Sequence, residues 1–151
     1  MKNHPNPRDK MEIKNLTLEI AESYLKEFHP KKLHEFENYR HLMEKGLIEE
    51  EPSKLSEKFM DNEIVSTFLI PIVTITISSF IIDFLKSIKS RKRKKKLSEI
   101  NLVELNILFN ENPEVVQQIE NSLSKSIQDP QLLKNIIIFS KRFTQEKAAQ
   151  L

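Results

Sequence analysis

IVSTFLIPIVTITISSFII, residues Ile64 to Ile82, is an uncharged, mostly apolar run in a chain of 151 residues, 30% of them charged. How this run is read decides the fold. As a helix it extends ~28 Å at about 1.5 Å per residue, close to the hydrocarbon thickness of a bilayer. Arg91-Lys92-Arg93-Lys94-Lys95-Lys96 follows shortly after it, and a dense cationic flank marks the cytoplasmic end of a span. A strand is the competing reading, because Val73-Thr74-Ile75-Thr76-Ile77-Ser78 alternates and is rich in β-branched residues. A strand needs partners, however, and no other segment shows a convincing strand pattern. An unpaired strand is viable in neither water nor lipid. The run is therefore expected to be a single transmembrane helix, against the alternative of a buried strand or core helix in a soluble protein.

The rest of the composition bounds what can be built around it. The part up to Glu63 is acidic on balance and the part from Ile64 onward is basic. A negative mean hydropathy argues against several spans. Cysteine is absent, which excludes disulfides, thiolate metal sites and a thiol nucleophile. Gly46 is the only glycine, so no phosphate-cradling loop or dinucleotide fingerprint can form. The zincin, nucleophile-elbow and calcium-loop motifs are missing as well. The expectation is a non-enzyme without cofactor or metal.

Working outward, the fold class expected is all-α: one spanning helix flanked by small helical modules. Residues 1–14, with Pro5 and Pro7, read as a disordered tail without the apolar core of a signal peptide. Residues 15–60 read as an N-terminal helical module. In it Leu16, Leu18, Ile20, Ala21, Tyr24, Leu25 and Phe28 follow a helical period up to Pro30, which ends the helix. A second helix runs from Lys31 to Lys45, ahead of Gly46 as a left-handed cap. Residues 61–90 hold the span, and 91–96 form a polybasic juxtamembrane block. Residues 97–151 make a C-terminal three-helix module: Ile100 to Phe109, then helices opened by Asn112-Pro113-Glu114 and by Asp129-Pro130. A short polar side chain followed by proline is a helix start signal.

Candidate functional residues follow from the faces of the span. At about 100° per residue, Thr67, Pro71, Thr74 and Ser78 share one narrow sector, and Thr76, Ser79 and Asp83 share another roughly opposite. Small hydroxyl residues permit close helix approach and hydrogen bonds across an interface, so these faces are expected to pair helices or line a pore in a homo-oligomer. Hydroxyls bonded to the carbonyl of the preceding turn are the plainer alternative. Pro71 is expected to bend the helix, and Asp83 to pair with Lys86. Arg91, Lys92, Arg93, Lys94, Lys95 and Lys96 are assigned to topology and to anionic lipid headgroups. Nucleic acid is disfavoured as a partner because a span ending near Ile88 places the block at headgroup level, and the lack of stacking aromatics inside it weakens single-stranded binding further. His34 and His41 are expected on the surface, not at a metal.

Two functions compete on this reading. One is an oligomeric, single-pass membrane protein with a cytoplasmic C-terminal part, acting as a pore-forming or membrane-perturbing effector. The other is a membrane-tethered adaptor that recruits a protein partner through the apolar stripes of the C-terminal module, which look too extensive for 55 or so residues to bury alone. A basic nucleic-acid-binding protein is a distant third.

Overall fold

The computed structural model describes residues 11–45, 69–88, 99–127 and 129–150. Helix α1 (Ile13–Phe28) follows a two-residue strand, β1 (Met11–Glu12). It stops at His29, whose N–H still reaches the Leu25 carbonyl at 2.7 Å, because Pro30 has no N–H to continue the ladder. One 3-10 turn (Pro30–Lys32) then redirects the chain into α2 (Leu33–Glu44). The apolar run forms α3 (Leu69–Ser87), 19 residues of regular helix. Alternation did not make it a strand. A second two-residue strand, β2 (Glu99–Ile100), precedes α4 (Leu102–Glu111), α5 (Pro113–Leu123) and α6 (Pro130–Ala149).

The local chemistry of the helix starts varies. Asn101 opens α4 with a reciprocal capping box: its Oδ1 accepts from Glu104 N at 2.7 Å, and Glu104 Oε1 accepts from Asn101 N at 3.1 Å. Asp129 caps α6, its Oδ1 accepting from the N–H groups of Gln131 and Leu132, each at 3.1 Å. Asn112 departs from expectation. Its side chain makes no cap for α5; Nδ2 instead donates back to the Leu108 carbonyl at 2.9 Å and closes α4. With Pro113 in the first turn, α5 has one orphan donor fewer to satisfy.

All-α is the right class, with one small exception. Met11 pairs with Ile100, and Glu12 with Glu99, in an antiparallel register. The N-terminal segment read as a disordered tail is therefore ordered from Met11 onward, as far as Lys14 inside α1.

Helix α3 sits at the centre. It touches α1, α2, α5 and α6, and Phe109 of α4 stacks on Phe80 with ring centroids 5.4 Å apart and lies 4.8 Å from the ring of Phe84. Val73, Ile77, Phe80, Ile81 and Phe84 have no exposed surface. The surrounding helices turn inward on it: Leu16, Ile20 and Tyr24 of α1, Phe36 of α2, Leu105 of α4, Val116 and Ile119 of α5, and Leu133, Ile136 and Phe143 of α6 all belong to one cluster. Segments that the sequence divides into an N-terminal module, a span and a C-terminal module thus contribute to one core. The reason is physical. Amphipathic helices of this length have a single apolar stripe each, and a helix apolar on every side is the surface that lets several stripes be buried at once.

Candidate functional site

By length and composition α3 is able to cross a membrane, and 67% of its most apolar stretch is buried inside the bundle. The core helix of a soluble bundle meets the same description. The functional question is therefore how this helix is held.

Its polar residues are placed as follows. Thr74 and Thr76 are buried, Ser79 nearly so, and Pro71, Ser78 and Asp83 are half-buried. Thr74 Oγ1 donates to the Ile70 carbonyl, one turn earlier, at 2.8 Å, so that hydroxyl asks nothing of a neighbour. Among the described residues the buried Ser79 Oγ has no hydrogen-bond partner. The described residues of the two hydroxyl sectors therefore lie against or beside other parts of the same chain. Among the described residues no ion pair joins Asp83 to Lys86; Lys86 is exposed and Asp83 half-buried. Both charges sit in the C-terminal third of the helix, which leaves the stretch from Leu69 to Ile82 free of charge. Thr67 and the block Arg91–Lys96 lie outside the described residues, as does the carbonyl that Pro71 would leave unpaired. His34 and His41 are exposed on α2, and among the described residues no three acidic or histidine side chains converge where they could hold a metal.

Around α3 the helices are tied by contacts at the ends of the chain. Within the N-terminal hairpin, Arg40 of α2 pairs with Glu22 of α1 and lies over the ring of Phe36, 5.4 Å from its centroid. Lys14 Nζ donates to the Met43 carbonyl at 3.4 Å, a favourable place for a cation because it is the negative end of α2. Between α1 and α6 the contact is aromatic and ionic together. Tyr24 meets Phe139 edge-on at 5.5 Å, Phe28 meets it at 6.0 Å, and Phe143 stacks on Phe139 at 5.9 Å. Over this cluster Arg142 Nη2 donates to both carboxylate oxygens of Glu27, at 2.6 and 2.7 Å. The guanidinium also stands 5.1 Å above the Phe139 ring.

The electrostatics of this corner follow from its packing. Burial, with a smaller contribution from the charge of Asp129, pushes the Tyr24 phenol up to about 12. Burial and then the nearby Lys32 lower the His29 imidazole, whose ring lies 6.2 Å from that of Tyr24. The hydrogen bonds that Arg142 donates to Glu27 raise its own pKa further, so its charge is fixed at any ordinary pH.

Sequence reasoning found half of this arrangement. Tyr24 and Phe28 stand out as members of the helical stripe that runs from Leu16. Glu27 and Arg142 do not, because each is a polar residue on an exposed face and they are 115 positions apart; nothing local announces such a pair.

Comparison with family models, with curated proteins and with solved structures finds no match to this chain.

Proposed function

We propose that this chain acts at membranes, as a helical bundle that keeps a bilayer-competent helix sheathed and transfers it into lipid. The observation that carries the reading is the central helix itself. Leu69–Ser87 is of spanning length, and its only charges are Asp83 and Lys86 near one end. Transfer from the bundle to a bilayer exchanges one apolar surrounding for another, so the helix loses little by the move. The hydrogen bond of Thr74 to its own backbone travels with it. In sequence, Arg91–Lys96 follows the helix, and basic residues near an anionic surface contribute roughly 1 kcal/mol each. Once α3 is in lipid, the faces bearing Thr74 and Ser78, and Thr76, Ser79 and Asp83, become available to pair copies of the helix, as a pore or a membrane-perturbing oligomer requires.

The test is direct. The full chain is mixed with vesicles of neutral lipid alone or with an anionic lipid, floated on a density gradient and washed with carbonate. Flotation that survives carbonate and is stronger on anionic vesicles is the expected result. Absence of flotation, or complete release by carbonate, removes the membrane reading.

A second reading draws on the burial of α3. In it the helix stays inside the bundle and the chain is an adaptor for a protein partner. The apolar stripes that motivate an adaptor in the sequence are largely consumed internally: Val116, Ile119 and Leu123 of α5 and Leu133, Ile136 and Phe143 of α6 are buried. The stripes therefore do not by themselves ask for a partner, and the membrane reading is preferred.

A further inference from the structure

Two sub-assemblies grip α3. The hairpin α1–α2 is held by its own contacts, and α4, α5 and α6 touch one another. Each grips α3, through α1 and α2 on one part of its surface and through α5, α6 and Phe109 on another. Where the two sub-assemblies meet directly, the main contacts are the β1–β2 pairing and the α1–α6 contact. For α3 to leave, the sub-assemblies must part, and these contacts must break.

Each closure has a weak polar part, beside the aromatic packing of Tyr24 on Phe139. The strand pairing has two residues on each side, and a small isolated pair of strands is marginal in water. The Glu27–Arg142 pair is well aligned, but the two side chains are 43% and 44% exposed, and exposed pairs contribute little. The grip on α3 is apolar, and a lipid surface can replace it. In water, the cost of losing that grip holds α3 in place; at a bilayer that cost is largely made good, and the closure is what remains to be overcome.

Resting on the membrane reading, we infer that the α1–α6 contact is an autoinhibitory clasp: Glu27 and Arg142, over the rings of Tyr24, Phe28 and Phe139, set how readily α3 is released. Arg142 Nε also lies 3.9 Å from Glu146. Glu146 lies on α6 itself and so does not bridge the two sub-assemblies.

The experiment uses the full chain and charge reversal: Glu27→Arg, Arg142→Glu, and the double exchange. Two readouts are taken, amide hydrogen exchange without lipid and flotation on anionic vesicles. Each single variant turns an attraction into a repulsion, and exchange in α3 and the end of α1 is expected to rise by about two- to tenfold, the size expected for losing an exposed pair and gaining a like-charge one. Protection in α4 and α5 stays unchanged, because neither helix takes part in the clasp. The double exchange restores most of the protection that the single variants lose, short of the wild type because Arg142→Glu also faces Glu146, and carbonate-resistant flotation follows the same order. Unchanged α3 protection in both single variants overturns the clasp. So does a uniform rise across all helices, or a double exchange no better than the single ones, since those results describe general destabilisation. Exchange that responds as expected while no variant floats supports the clasp as a gate on α3 and removes the membrane reading, so the two ideas fail separately.

Discussion

Tyr24 shows how much one residue can report. Its ring is almost fully buried between α1 and α6, touching Phe28 and Phe139, and its phenol is raised from 10.0 to about 12. The folded chain therefore favours the neutral phenol. The stability this contributes is complete below the ordinary phenol value and is lost as pH climbs from there through the raised one. In a Tyr39→Phe variant Tyr24 is the sole tyrosine, since the chain has 2. Its ultraviolet phenolate signal should then appear near pH 12, or together with alkaline loss of helix, and move down to about 10 in denaturant. Ionisation near 10 with the helical signal intact would mean that water reaches the ring edge, and that the α1–α6 corner is open in solution. The burial of Tyr24 was legible in the sequence, from its place in the stripe Leu16–Ile20–Tyr24. Its neighbour on α6 was not, because periodicity says which face is buried and nothing about what buries it.

Among the elements, the starts of α5 and α6 make a matched pair. Asn112-Pro113 and Asp129-Pro130 read as the same signal, yet only Asp129 caps, while Asn112 turns back to Leu108. Crowding explains the difference: α4 ends at Glu111 and α5 begins at Pro113, so one residue must serve both ends. Asp129→Ala should cost about 1 kcal/mol in urea unfolding, the usual worth of a cap. Asn112→Ala removes a closing bond to a carbonyl that still accepts from the Asn112 backbone N–H at 3.0 Å, and should cost about half as much. Equal losses would mean that Asn112 caps α5 after all. The helix α3 was legible as a helix because its alternating stretch had no strand to pair with. Whether protein or lipid surrounds it was not legible. A helix apolar on all sides suits either, and Ile77 or Phe80 carries no mark that separates the two.

The whole molecule depends on sharing that helix. Residues 97–151 read as a module of their own, and α4, α5 and α6 do touch one another. Yet Phe109 packs on Phe80 and Phe84, and both α5 and α6 also pack on α3, so a good part of their apolar burial is against a segment outside the module. Domains of this size bury barely enough surface to fold even when complete. A fragment of residues 97–151 should therefore show low, non-cooperative helicity in circular dichroism, or gain helix only as it self-associates with concentration. The full chain should lose its helices in one transition, with near-ultraviolet and far-ultraviolet signals coincident. The state reached on lipid distinguishes a shared core from a shared convenience. If α3 alone enters the bilayer, the helices it leaves behind lose their common centre, and exchange in α4 and α5 should rise on vesicles while α3 becomes protected. If α3 stays in the bundle, vesicles change neither. The clasp experiment leaves α4 and α5 quiet in water, so their response to lipid isolates the departure of α3 from the mere opening of the bundle.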